Sequence, residues 1–286
     1  MQKLCGGYGL IEGPLWMSDR GLIFSDVLFG GVFCVDNDGN VSSVFEHRRG
    51  IGGMSEHEKG GLIVSGRNIS YKPFDGGDTV LVLDRNETQG LVGFNDITTD
   101  NAGRLYAGSL GASPVFDDGL EPRSGDLYLI DLDGSSRKVA EDIRLTNGLA
   151  FSPDGKTLYH SDSARLVINR YSVSENGDLG PKEVFASVER GAPDGLVVSE
   201  DGRVWVALAG GGHGVGVFGP SGEHLEHVEI PQPMCTSLCF GGADMRDLYI
   251  VTGSDGMDSD KAGAIYRHRT DSPGLVVPLA KVNLFT

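Results

Sequence analysis

Four oxygen-bearing side chains, Glu12, Asn95, Asn147 and Asp194, each lead a short apolar run in this 286-residue sequence. Two carboxylates and two amide carbonyls are hard donors, with no imidazole or thiolate among them. Such a set suits Ca²⁺ first, then Mg²⁺ or Mn²⁺, and two carboxylates balance a divalent charge; Zn²⁺ accepts oxygen ligands but prefers others. Asn and Asp at strand starts also bond nearby backbone N–H groups, so the chemistry depends on whether the fold brings the four positions together.

The elements that must do so are short hairpins. Residues 147–163, NGLAFSPDGKTLYHSDS, show the unit: an apolar run, a Ser-Pro-Asp-Gly-Lys turn, and a second run. Pro153 sets φ in the turn and Asp154-Gly155 supplies its positive-φ corner. The same grammar recurs at 11–27, 52–66, 94–110, 193–209 and 235–253. A third β-rich run follows each hairpin (VFCVD, LYLID, VGVFG), and usually a fourth (KVAED, KEVFA). With Glu12, Ile51, Asn95, Asn147, Asp194 and Thr236 as equivalent starts, the repeats are spaced by 39 to 52 residues, the length of a four-stranded propeller blade. The expected fold is therefore all-β, a six-bladed β-propeller occupying residues 1–286 as one domain. No Gly-His or Trp-Asp signature recurs, which disfavours the WD40 subclass. The ring must close either through the C-terminal GLVVPLA or through a strand lent by the N-terminus.

In an up-and-down blade the innermost strand begins at one face of the ring, and the loop between the second and third strands returns there. Glu12, Asn95, Asn147 and Asp194 thus converge on one mouth of the central channel, with residues 109–123, Asp162, 210–213 and 254–262 around them. The hairpin turns lie on the opposite face. Charge narrows the partners: 24 Lys and Arg against 40 Asp and Glu leave −16, which repels nucleic-acid backbones and anionic membranes. A small-molecule substrate is the expected partner. Cys5, Cys34, Cys235 and Cys239 lack metal-binding spacing and read as thiols of a reducing compartment. The N-terminal MQKLCGGYGL lacks the charged n-region and long apolar run of a secretion signal, and no apolar run approaches the roughly 20 residues of a membrane span. A soluble, cytoplasmic monomer is the expectation.

The segments EGPLW at Glu12, FND-x4-DNAGRLYAGSL, TNGLAFSPDGKTLYHSDS, PDGLVVSEDGRVWVA and TSLCFGG resemble, in order, the blade motifs of the senescence-marker-protein / gluconolactonase / luciferin-regenerating-enzyme family. The resemblance runs from about residue 10 to 253 and implies a six-bladed propeller. It also implies that Glu12, Asn147 and Asp194 hold a divalent cation, that Asn95 lies beside metal and substrate, and that Asp194 doubles as general base. The pattern departs from the family's sugar lactonases at Gly93, where they carry an Arg, and in the loop GASPVFDDGLEPRSG, where they carry a Glu and where Glu121 and Arg123 are the available substitutes. A plain aldonolactone is accordingly not the expected substrate.

The favoured reaction is metal-assisted opening of a lactone, with the ion polarising the carbonyl and Asp194, or hydroxide on the ion, activating water. Phosphotriester hydrolysis, aldol cleavage or dehydration on the same site, and a non-enzymatic calcium-binding propeller are the competing readings. Loops 111–125 and 66–76 are expected to cover the site, with Phe116, Tyr71 and Phe74 lining it and Arg123 and His213 touching substrate. His160, inside a strand, reads as a packing residue.

Overall fold

The computed structural model describes residues 1–284 except 37, 47, 117, 118, 120 and 122. Pro122 of the long loop therefore lies outside the described residues. The chain forms six four-stranded antiparallel sheets arranged as the blades of a propeller. Alternating Val, Leu, Ile and aromatic residues put apolar side chains on both faces of each blade, and these interlock with the neighbouring blades. Trp205 of blade 5, for example, meets Phe240 of blade 6 edge-on at 5.8 Å, within a cluster that also holds Leu238 and Ile250.

The innermost strands are Ile11–Met17, Met54–His57, Gly93–Thr99, Thr146–Phe151, Ala192–Val198 and Cys235–Gly241. Each turns back through a tight Asp- or Gly-containing hairpin on the far face. In blade 4 Asp154 accepts the Lys156 N–H at 3.0 Å, while Gly155 takes the left-handed φ of 69° that the reversal needs.

The N-terminus closes the ring. Gln2–Tyr8 pairs antiparallel with Gly263–Arg269 as the outermost strand of blade 6, so one blade is built from both ends of the chain. GLVVPLA is not a blade strand. It belongs to a strap that crosses the far mouth of the channel. Leu275 N–H bonds Val198 O in blade 5 at 3.0 Å, Ala280 N–H bonds Glu56 O in blade 2 at 2.8 Å, and Lys281 N–H bonds Gly103 O in blade 3 at 2.8 Å. Gly274 starts this crossing against the Phe240 ring, where an added Cβ would lie 1.9 Å from ring carbon. Among the described residues no helix is long and apolar enough to cross a membrane.

A chain lacking residues 1–8 should lose the fourth strand of blade 6 and melt roughly 10 °C lower, at about 2–4 °C per kcal/mol for a chain of this size. An unchanged Tm by calorimetry would show that the ring holds without this closure.

Candidate active site

The innermost strands deviate from regular pairing at corresponding places. The register with the second strand shifts between Phe94 and Ile97, between Thr146 and Leu149, and between Pro193 and Leu196. The bulged pairs are Asn95-Asp96, Asn147-Gly148 and Asp194-Gly195. In blade 1 the shift falls between Glu12 and Leu15, so Glu12 is the last paired residue before it. A bulge re-aims a side chain that regular pleating would send into the blade, and here it turns the polar residue towards the axis. Glu12, Asn95, Asn147 and Asp194 all line one cavity of about 870 Å³ at the near mouth. Blade 2 has Gly52 on this wall, one residue past the expected start at Ile51. Thr236 of blade 6 is fully buried and donates to Ile11 O at 2.5 Å, tying blade 6 to blade 1 instead of facing the cavity.

Close approach of the innermost strands explains the small residues beside the polar ones. A Cβ on Gly148 would stand 2.3 Å from Leu196 N, and one on Gly195 2.2 Å from Ser237 Oγ. Blade 3 carries Asp96 at the place of these glycines. Its side chain faces a second chamber, about 930 Å³, that opens on the far face beneath the strap. Sequence reasoning passed over Asp96; the signal was its place beside Asn95, where blades 4 and 5 read Asn-Gly and Asp-Gly.

The carboxyls at the channel centre are destabilised as anions. Glu12 is held well above the ordinary carboxylate range by burial, then by the charges of Asp194 and Asp96; a bond from the Gly13 backbone offsets part of this. Asp194 is raised likewise by burial and by Asp96, against a bond from the Gly195 backbone. Burial pushes Asp96 up to about 7. No ion pair among the described residues involves any of the three, and the side-chain charges that act on Glu12 and Asp194 belong to other carboxylates. Among the described residues no three Asp, Glu, His or Cys side chains converge closely enough to hold an ion by themselves, so the amide oxygens must complete any such set.

Asn147 supplies one in a determined orientation. Ser163 donates its single hydroxyl proton to Pro193 O at 2.5 Å and therefore accepts from Asn147 Nδ2 at 2.7 Å. Asn147 Oδ1 is thereby turned to the cavity. Asn95 Nδ2 donates to that oxygen and to Thr146 O at 2.9 Å. The Oδ1 of Asn95 points instead at Gly52, where a Cβ would lie 2.2 Å away. Asn95, expected as an oxygen ligand, thus spends both amide protons on two acceptors of blade 4 and braces Asn147. Two deeper carboxylates steady the approach strands. Asp26 accepts from Gly9 N–H at 2.9 Å ahead of Glu12, and Asp162 from Leu145 N–H at 3.1 Å ahead of Asn147.

Phe116 and Arg123 of the long loop line the cavity. Tyr71 and Phe74 do not. Tyr71 sits within the strand Ile69–Pro73, buried against His57, and its hydroxyl reaches Lys59 O and Gly60 O in the far-face hairpin. Phe74 stacks on Phe45 beneath the Arg20 guanidinium, also at the far face. The third strand of blade 2 begins at Ile69, so the near-face loop ends before either aromatic. His213 is also absent from the cavity wall. It adopts a left-handed φ of 54° and uses its carbonyl to accept Ile230 N–H at 2.8 Å, while Gly210 takes the wall position.

The fold and this oxygen-lined cavity define a class, a six-bladed propeller with a polar site at one mouth of its axial channel. The SMP-30/Gluconolactonase/LRE-like region model matches residues 10–254, and the chain belongs to that family. It is 31% identical to a 6-deoxy-6-sulfogluconolactonase of Pseudomonas putida over 283 residues, covering 94% of each chain. A gluconolactonase structure from Xanthomonas campestris superposes with a TM-score of 0.77 at 25% identity, over 93% of this chain and 89% of that one. A luciferin-regenerating enzyme shares the fold with a TM-score of 0.86 at 23% identity, over 98% and 99%. The family and the relatives named for lactone hydrolysis mark the chain as lactonase-like.

His160 is fully buried, with Nε2 2.9 Å from Thr146 Oγ1, in keeping with a packing role. Burial lowers its pKa to about 4. The folded state holds the ring neutral while the unfolded chain takes a proton near 6.5, so its contribution to stability is intact above that pH. It is lost as pH falls from 6.5 to about 4 and stays level below. The stability difference between the native chain and a His160→Gln variant should therefore shift by on the order of 3 kcal/mol across that window in denaturant titrations. A flat difference would show that His160 does not bind its proton differently on folding.

Proposed function

We propose that this protein is a divalent-metal-dependent hydrolase that opens a lactone other than a plain aldonolactone, acting as a monomer on a small molecule in the cytoplasm. One observation carries the reading: a buried carboxylate, Asp194, and a half-buried one, Glu12, with no cationic partner among the described residues, stand beside an amide oxygen that Ser163 locks towards the same cavity. An all-oxygen set of this kind fits Ca²⁺ best, and the binding of a divalent charge would offset the repulsion that raises both carboxyls. Glu12, Asp194 and Asn147 would hold the ion, and Asn95 would brace Asn147 and meet the substrate. The relatives named for lactone hydrolysis support the reaction class.

The ion would supply Lewis-acid polarisation of the lactone carbonyl. Asp194 is the base: its carboxylate accepts a proton from the attacking water and returns it to the ring oxygen as the bond between that oxygen and the carbonyl carbon breaks, giving the hydroxy acid. Burial favours this by raising its proton affinity above that of a solvated carboxylate. Asn95, whose two amide protons go to Thr146 O and Asn147 Oδ1, would hold Asn147 in place beside the substrate. Phe116, reaching across to Gly50, limits the entry of bulk water from the long-loop side.

Asp194→Ala and treatment with EDTA should each reduce lactone hydrolysis by at least about 100-fold, as expected for a base and a Lewis acid acting in one step. Activity that survives both would eliminate this mechanism. Ser163→Ala removes the group that fixes Asn147, and calcium affinity by calorimetry should fall about 10-fold or more, the usual cost of losing a ligand's supporting hydrogen bond. Equal affinity in the variant would mean that Asn147 does not bind the ion.

A further inference from the structure

The wall of the near cavity is divided by charge. Arg49, Arg67, Arg85 and Arg123 all line it from blades 1 to 3, with Glu87 as the outer acid on that side. Blades 4 to 6 add Asp194 and Asp255 and, among the described residues, no cation. The four arginines come from separate segments. Arg49 and Arg85 lie on the connections leading to blades 2 and 3, Arg67 on the near-face loop of blade 2, and Arg123 at the end of the long loop of blade 3.

Packing brings these segments together. The Arg123 guanidinium lies 3.7 Å from the Cβ position of Gly90, on the segment that carries Arg85. The Arg67 Cα lies 3.6 Å from the Cβ position of Gly93, beside Asn95. The Phe116 ring lies 3.4 Å from the Cβ position of Gly50, next to Arg49.

Few of these arginines are paired. Most arginines elsewhere meet a carboxylate, as in Arg104–Asp100 at 2.7 Å, Arg165–Asp142 at 2.8 Å and Arg190–Glu229 at 2.7 Å. At the cavity Arg85 pairs with Glu87 at 3.0 Å, whereas Arg49, Arg67 and Arg123 make no ion pair with any described residue. A chain with 40 acids and 24 bases has carboxylates to spare for them. Uncompensated guanidinium groups on a concave wall focus a positive potential that an otherwise anionic surface would deny to an anion.

We infer that the substrate carries a strongly acidic group, a carboxylate, sulfonate or phosphate, remote from its reacting carbonyl and bound by Arg67 and Arg123 with Arg49 and Arg85 flanking. The planar fork of donors on each guanidinium matches the oxygens of such a group. The cavity is then bipolar, its arginine wall holding the anion while the Glu12, Asn147 and Asp194 end receives the carbonyl. This inference rests on the lactonase reading and adds the substrate's charge to it.

The test separates binding from turnover. Calorimetry on the calcium-loaded protein would compare D-gluconate with 6-phospho-D-gluconate and with D-glucarate, whose second carboxylate stands for the weaker acid. The phosphorylated or dicarboxylate probe should bind roughly tenfold or more tightly than gluconate, as charge-assisted hydrogen bonds would give. That preference should shrink at high salt and vanish in an Arg67→Gln/Arg123→Gln double variant that still binds calcium and melts normally. An Arg170→Gln change on an outer strand should leave it intact. Equal binding of all three probes, or a preference that persists in the double variant, would overturn the inference. Charge preference without hydrolysis of any lactone would refute the proposed reaction and leave the anion site standing. Hydrolysis of neutral lactones with no advantage for charged ones would do the reverse.

Discussion

Six innermost strands converge on one axis, and the rest of the structure follows from how little room they leave there. At the near mouth the strands of blades 1, 3, 4 and 5 bulge to turn a side chain inward, and the next residue is small in blades 1, 4 and 5 because the neighbouring backbone is already close. Gly148 and Gly195 meet that demand with added Cβ positions only 2.3 and 2.2 Å from their neighbours. Blade 3 departs from it with Asp96, whose carboxyl is displaced to the opposite side of the channel. The crowding makes the site stiff. It also makes it costly, since burial raises the proton affinity of three carboxyls there, and the charge of Asp96 raises those of Glu12 and Asp194 further.

That cost gives the arrangement its chemical meaning. Hydrogen bonds within the protein stabilise the amides and the approach strands, but among the described residues no cation neutralises Glu12 or Asp194. The Asp26, Asp162 and Ser163 contacts hold backbone and amide in place instead, so the fold invests in orienting donors and leaves their charge to be met from outside. The two ends of the cavity differ in the same sense. Its base is electron-rich and its blade 1 to 3 wall is rich in guanidinium groups, so a ligand that fits must itself be polarised along its length.

Ring closure and access are linked through the chain ends. The N-terminal strand completes blade 6, which frees the C-terminal segment to cross the far mouth. The axial channel is thus open to the near cavity and spanned by the strap on the far side. Chemistry at one mouth is separated from the chamber at the other by the layer of innermost strands that contains Asp96.

Much of this was legible in the residues alone. The hairpin grammar, its spacing and the polar leaders at Glu12, Asn95, Asn147 and Asp194 specify six blades and a polar mouth, because blade topology is local and repeats. The placement of Tyr71, Phe74 and His213 was not legible. Whether an aromatic follows a loop or sits inside the next strand depends on where pairing begins, and in blade 2 it begins at Ile69. The direction of the Asn95 amide was also beyond sequence, since it follows from the two acceptors presented by blade 4, which lies 51 residues further along the chain. The four arginines come from segments with no common pattern, and only the folding of the long loop towards blades 1 and 2 places them on one wall. Sequence by itself determined the repeating frame and its inward-facing oxygens. Tertiary structure decided which end closes the ring, which atom of each amide faces the site and which charges surround it, because those depend on contacts between blades that no single repeat encodes.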